Sequence, residues 1–110
     1  MRILITGSNG LLGQKLVNLV VAKNQAEEEI EILATSKGEN RISSKSEYVY
    51  QSLDITKKED VVNAVESFNP ACLINTAAMT NVDACESDKE LCWDLNVNAV
   101  KYMIEACEQN

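Results

Sequence analysis

Residues 2–13 read Arg-Ile-Leu-Ile-Thr-Gly-Ser-Asn-Gly-Leu-Leu-Gly, and the changes of character along this stretch decide the fold. Arg2 to Thr6 is short, apolar and rich in β-branched residues, which is the composition of a buried strand. Gly7, Ser8, Asn9 and Gly10 form a turn. From Leu11 to Ala22 the apolar residues Leu12, Leu16, Val17, Val20 and Val21 recur at helical spacing. A strand therefore runs through a glycine turn into a helix, with Gly7, Gly10 and Gly13 three residues apart across the junction.

The rest of the chain repeats the alternation. Asn24 to Glu29 is polar and reads as a surface connection. Glu31 to Ser36 is a second strand, and Lys37 to Ser46 a polar loop. Glu47 to Leu53 is a third strand. Thr56 and Glu59 have the spacing of a capping box before a helix with Val61, Val65 and Phe68 on one face, stopped by Asn69-Pro70. Ala71 to Thr76 is a fourth strand and Ala77 to Glu86 a loop. Ser87 and Glu90 form a second capping box, opening a helix from Asp88 to Cys107 with Leu91, Leu95, Ala99 and Tyr102 on one face. Strands alternating with helices predict an α/β fold with a parallel sheet and right-handed crossovers.

Composition narrows the function classes. The chain has 110 residues, 45% of them hydrophobic, and a formal net charge of −7. An acidic surface repels nucleic acid and anionic membranes, so neither is an expected partner. Backbone N–H groups can still bind phosphate locally. No apolar run reaches the length of a membrane-spanning helix, and no signal-peptide pattern is visible. Histidine is absent, which removes imidazole metal sites and Ser-His or Cys-His catalytic pairs. Cys72, Cys85, Cys92 and Cys107 contain no Cys-x-x-Cys pair and read as reduced, partly buried thiols in the cytoplasm. No metal site is expected.

Three of the four glycines stand in the one turn between strand and helix. That context fits a diphosphate cradle. One glycine permits the tight turn, one lets the diphosphate approach the backbone, and one lets helix and strand pack closely. The anion then meets free N–H groups and the positive end of the helix dipole. The spacing is G-x-x-G-x-x-G, with Ser8 where the G-x-G-x-x-G pattern has glycine. A phosphate loop ending in Gly-Lys-Ser/Thr does not fit, since Gln14 precedes Lys15. In NAD-binding folds an acidic residue at the end of the second strand holds the ribose hydroxyls. Here that strand ends Thr35-Ser36-Lys37, with no carboxylate before Glu39. Ser36 and Lys37, joined by Arg41, suit a ribose 2′-phosphate, which predicts NADP(H).

Ile5 to Gly13 resembles the opening of the extended short-chain dehydrogenase/reductases. Leu53-Asp54-Ile55-Thr56 resembles their adenine-side segment. Residues 74–83, with Glu86, look most like the dTDP-4-dehydrorhamnose reductase branch, and Leu95 to Ala99 matches the family's helix asparagine segment. The resemblance covers the whole chain. It implies the first half of a doubly wound Rossmann-type domain, a parallel sheet with flanking helices, and a nucleotide-sugar substrate in the complete protein. It also implies roles for residues. Gly7, Asn9, Gly10, Leu11, Leu12 and Gly13 would serve the diphosphate. Asp54 would accept from the adenine amino group, with Ile55 against the ring. Ala77, Ala78, Met79 and Thr80 would line the nicotinamide side. Asn96 would help order the active site, or serve only as a hydrogen-bonded structural residue. Asp83 and Glu86 would border the sugar-nucleotide site or an oligomer surface, or simply cap and solubilise the loop. A homodimer is compatible with this pattern.

Members of the family reduce a keto-sugar with a Ser/Thr, a Tyr and a Lys, the last two as Tyr-x-x-x-Lys. Four residues after Tyr48, Tyr50 and Tyr102 stand Ser52, Asp54 and Ala106, none of them lysine. Residues 1–110 therefore read as the N-terminal, NADP-binding part of a longer reductase, without the later strands and the substrate domain and without the means to finish catalysis. The fourth strand is then expected as an exposed apolar edge, prone to association. A regulatory protein resembling the methionine adenosyltransferase regulatory subunit, and a sugar-nucleotide epimerase or dehydratase, share these features and remain as alternatives.

Overall fold

The computed structural model describes residues 1–24, 30–43, 47–78 and 82–109. The elements in chain order are β1 (Arg2–Thr6), α1 (Leu11–Asn24), β2 (Glu31–Ser36), β3 (Val49–Ser52), α2 (Lys58–Phe68), β4 (Cys72–Asn75), α3 (Val82–Ser87), α4 (Lys89–Trp93), a π-helical turn (Asp94–Asn98) and α5 (Ala99–Gln109). The strands form one parallel sheet in the order β3-β2-β1-β4. β1 is central, pairing Ile3 with Ile32 on one side and with Cys72 on the other.

Side-chain alternation along the strands sorts the core into two halves. Ile3, Ile5, Ile32 and Ala34 pack against Val17 and Val20 of α1, with Ile42 from the loop after β2. Leu4 and Leu33 point the other way, onto Val61, Ala64 and Val65 of α2 and Ala99, Met103 and Ala106 of α5. Both faces of the central strands are covered, which is why their sequences are continuously apolar rather than alternating. Burying each large aliphatic side chain contributes about 1.5–3 kcal/mol. At the surface, Lys58 and Glu105 join α2 to α5 at 2.9 Å.

Several expectations shift. α1 buries Val17 and Val20 but leaves Leu12, in its first turn, 67% exposed. β3 begins at Val49 rather than Glu47, whose left-handed φ of 73° breaks an extended run. The expected capping box at Thr56 does not form. The Thr56 hydroxyl donates to Asp54 Oδ1 at 2.6 Å, and the N-cap residue Lys57 makes no side-chain bond. The second box is displaced by one residue. Ser87 ends α3, and Asp88 caps α4 by accepting from the Leu91 N–H at 3.0 Å. The expected loop after Ala77 contains α3. The expected single helix over 88–107 is interrupted by the π turn, where the Ala99 N–H reaches back to the Asp94 carbonyl. That extra residue per turn rotates the following face, so Met103 and Ala106 become buried while Tyr102 is only partly covered.

The cysteine expectation is also corrected. Cys85 and Cys92 form a disulfide, while Cys72 and Cys107 are free and exposed. The turn at Ser87-Asp88 folds α3 against α4 and brings the two Cα atoms to 5.1 Å, within disulfide reach. No helix among the described residues is long and apolar enough to cross a membrane.

β4 has one sheet neighbour among the described residues, and beside it lies an apolar groove of about 400 Å³ lined by Leu73, Val100, Met103 and Ile104. A strand edge next to an apolar groove favours association. The 110-residue chain on its own is expected to self-associate in sedimentation velocity, and Ile104→Lys to shift it toward monomer. A monomeric wild-type chain at all concentrations would contradict this.

Candidate functional site

The site lies at the carboxyl ends of the strands, where the chain leaves β1 toward β2 on one side while β4 closes the other. In open α/β sheets this reversal of strand order leaves a crevice for ligands. A cleft of about 260 Å³ opens there. Of the residues singled out in the sequence, Gly7, Gly10, Ser36, Lys37, Asp54, Ile55, Ala77 and Ala78 line it, and so do Leu53, Thr76 and Leu95, which were given no role there.

The glycines divide the work in a definite way. Gly7 has φ +74°, and a Cβ there would stand 2.5 Å from the Ala77 nitrogen. Gly13 is buried under the turn, where a Cβ would collide with the Gly7 carbonyl. These two positions let β1, β4 and α1 meet backbone to backbone. Gly10 is different. A Cβ there would touch only the Gly7 oxygen, at 3.3 Å, so its openness faces the cleft rather than the fold. Backbone bonds hold the turn: Gly10 N–H donates to Gly7 at 3.0 Å, Gln14 N–H to Gly10 at 2.9 Å and Ser8 N–H to Thr35 at 2.9 Å. The first-turn N–H groups of α1 have no intrahelical partner and remain free for an anion. Ser8 is buried, so its side chain stays out of the cleft and no glycine is required there.

A polar network fixes the crevice wall. The Thr6 hydroxyl donates to Asn75 Oδ1 at 2.6 Å, and the Ala77 N–H donates to the same oxygen at 3.0 Å. The Thr76 hydroxyl donates to the Thr6 carbonyl at 2.6 Å and approaches the Gly7 carbonyl at 3.1 Å. Thr6, Asn75 and Thr76 were missed by sequence reading. Their signal was present: polar residues concentrated at the carboxyl ends of two otherwise apolar strands.

On the far side, Asp54 is held by Thr56. The Thr56 hydroxyl and backbone N–H both reach Asp54 Oδ1, at 2.6 and 3.0 Å. The hydroxyl bond lowers the Asp54 pKa, partial burial opposes it, and the Thr56 N–H, Lys37 and Lys57 lower it further. The carboxylate is thus kept ionised and oriented as an acceptor.

Other anticipated residues stand elsewhere. Leu11 and Leu12 are exposed at the start of α1, outside the cleft lining. Asn9 does not line the cleft; its side chain bonds the loop after β2. Arg41 likewise meets Asn9 through its backbone N–H rather than lining the cleft. Asn96 is exposed on the π turn, with Nδ2 3.4 Å from Cys92 Sγ, while its neighbour Leu95 reaches the cleft. Asp83 and Glu86 are exposed on α3. Met79 and Thr80 lie outside the described residues. No cluster of three or more metal-ligating side chains occurs among the described residues.

A parallel sheet of order 3-2-1-4, with a glycine turn feeding a helix at the crevice, defines a Rossmann-type fold. The chain belongs to the family described as the RmlD substrate binding domain, which matches residues 1–110. It is 35% identical over 105 residues to the dTDP-4-dehydrorhamnose reductase of Aggregatibacter actinomycetemcomitans, covering 96% of this chain and 30% of that protein. Among solved structures it resembles a hypothetical dTDP-4-dehydrorhamnose reductase from Sulfolobus tokodaii, at 30% identity and TM-score 0.75 over 99% of this chain and 36% of the other. It also resembles the Thermus thermophilus UDP-glucose 4-epimerase in complex with NAD, at 27% identity and TM-score 0.82 over 99% of this chain and 34% of the other. The chain therefore spans about a third of the length of these relatives.

Two outcomes test the site's construction. Gly7→Ala combines left-handed strain with a backbone collision, and is expected to lower stability by about 1–3 kcal/mol in chemical denaturation. An unchanged midpoint would contradict the close approach at Ala77. Because the folded Asp54 pKa is depressed, its stabilising contribution is present above the ordinary carboxylate range and is lost as pH falls through the folded value. Thr56→Val should therefore melt lower than wild type at neutral pH, with the gap closing on acidification. A gap independent of pH would show that Asp54 is not what the hydroxyl stabilises.

Proposed function

We propose that residues 1–110 form the cofactor-binding part of an NADP(H)-dependent nucleotide-sugar reductase, one that reduces the 4-keto group of a dTDP-sugar on the way to dTDP-L-rhamnose. The carrying observation is the cleft itself, which brings the glycine turn, with Gly10 open to it, together with Ser36 and Lys37. That arrangement suits a diphosphate followed by a phosphorylated ribose. The family and the named reductases supply the sugar-nucleotide context. A cytoplasmic location accords with such a reaction.

Each part of the chain has a task in this reading. The turn at Gly7 to Gly10 and the first N–H groups of α1 receive the diphosphate without needing a cationic side chain. Lys37 and Ser36 recognise the 2′-phosphate, where a carboxylate would repel it. Asp54 accepts from the adenine amino group, and Ile55 and Leu53 form the apolar wall beside the ring. Thr76, Ala77 and Ala78 shape the cleft where the cofactor crosses from β1 toward β4; their small size keeps the strand end approachable. Bound NADPH would supply the hydride. The proton donor belongs to a Tyr-x-x-x-Lys motif that none of the tyrosines in residues 1–110 provides.

Titration calorimetry with NADPH and NADH on the full-length protein tests the reading. NADPH is expected to bind more tightly, and Lys37→Ala to weaken NADPH by about tenfold or more, the scale of one charge-assisted hydrogen bond, while leaving NADH little changed. Tighter binding of NADH, or no loss in Lys37→Ala, would overturn the assignment to NADP(H).

A further inference from the structure

The loop after β2 is tied down by side chains outside it on two sides and by its own Ile42. From below, the Tyr50 hydroxyl lies 3.0 Å from the Ser36 carbonyl and 2.7 Å from the Gly38 carbonyl, and Ser52 Oγ accepts from the Gly38 N–H at 3.1 Å. Burial raises the Tyr50 pKa, outweighing the Asn9 amide and the Arg41 charge, so the phenol keeps the proton it donates. Within the loop Ile42 is fully buried in the α1-side core. From the side comes Asn9. Its Nδ2 donates to the Glu39 carbonyl at 2.7 Å, and its Oδ1 accepts from the Arg41 N–H at 2.7 Å. Asn9 thus completes a two-bond bridge across some thirty residues of sequence, while its own carbonyl accepts from Gln14 Nε2 of α1 at 2.6 Å.

We propose that Asn9 is a positioning residue for cofactor selectivity: its paired bonds to Glu39 and Arg41 couple the diphosphate turn to the loop after β2 and hold that loop ready for a ribose 2′-phosphate. The inference rests on the NADP(H) reading above. Asn9 stands within the glycine turn yet does not line the cleft, so it acts through the loop and not on the ligand. Lys37 lines the cleft near Asp54, and Arg41, four residues on and outside the cleft lining, places its charge near Tyr50, so the loop carries two cations in this short stretch. A loop held in one conformation presents those charges without an ordering penalty at the moment of binding.

The selectivity follows from which bonds the turn needs. Backbone hydrogen bonds at Gly7, Ser8 and Gly10 hold the diphosphate turn without the Asn9 side chain. Removing that side chain leaves those turn bonds in place and takes the side-chain bonds from Glu39 and Arg41, so the segment is held through Asn40, which bonds Tyr48 and Ile42, and loses its tie to the glycine turn. Ligands lacking the 2′-phosphate do not use that segment and should not sense the change.

The test compares 2′,5′-ADP with 5′-AMP by titration calorimetry on the full-length protein. Wild type is expected to prefer 2′,5′-ADP. Asn9→Ala is expected to reduce that preference by about tenfold, with 5′-AMP affinity nearly constant. Asn9→Asp keeps the volume and the acceptor for Arg41 but faces the Glu39 carbonyl with an anion, and should reduce the preference at least as far. Circular dichroism melts identify any variant that loses the fold; the isosteric Asp variant then decides. If wild type shows no preference for 2′,5′-ADP, the NADP(H) reading fails. If wild type shows it and both folded variants keep the same ratio, the role of Asn9 is overturned and the cofactor reading stands.

Discussion

The structure depends on a close backbone approach at residues 7 and 13. Gly7 brings the end of β1 against Ala77 after β4, and Gly13 lets α1 settle on the Gly7 carbonyl. Neither approach tolerates a Cβ. Because α1 is seated this way, Val17 and Val20 reach Ile3 and Ile5, and one half of the core closes. The same seating sets the glycine turn that precedes α1 at the crevice. A packing requirement and a binding geometry are thus produced by a single constraint, and Gly10, free of packing duty, is left to face the ligand side.

The two ends of the cleft are built by different means. At the glycine-turn end backbone hydrogen bonds hold the turn, with side-chain support from Thr76 to the Gly7 carbonyl and Gln14 to the Asn9 carbonyl. At the Ser36–Lys37 end, the loop after β2 is fixed by side chains from β3 and from the glycine turn. On the proposed reading, backbone donors would serve any dinucleotide, so the first end would be indifferent to the cofactor that arrives. Discrimination would then come from the second end, where side chains can differ without disturbing the sheet.

The sequence made the strand–turn–helix unit legible because its signals are local: an apolar β-branched run, spaced glycines and helical periodicity. It also gave the order of elements, and most of the cleft lining follows from that order. What escaped it was non-local or a matter of competing partners. Thr56 has capping-box spacing with Glu59, but Asp54 lies nearer and takes its hydroxyl. Ser87 yields to Asp88, one residue on, which caps the same helix with a carboxylate. The π turn at 94–98 has no sequence mark, yet it decides that Met103 and Ala106 face the core. The Cys85–Cys92 bridge depends on a chain reversal that spacing alone does not reveal. Asn9 could be read as a turn residue, but its partners at Glu39 and Arg41 appear only in three dimensions.

β4 shows how the site is kept ordered beside the least supported strand. Among the described residues it pairs only with β1, and its amino end is joined there by the Ala71 N–H to the Arg2 carbonyl. Its carboxyl end carries Thr76, Ala77 and Ala78 into the cleft and is far more heavily bonded. Thr6 and Ala77 converge on Asn75 Oδ1, and the Thr76 hydroxyl reaches back to the carbonyls of Thr6 and Gly7. Side-chain bonds of this kind are worth only about 0.5–1.5 kcal/mol each, so they matter less for total stability than for where they act. Concentrated at the crevice, they hold β4 against β1 at the point where Gly7 demands contact, and the edge strand can be weak elsewhere without blurring the cleft.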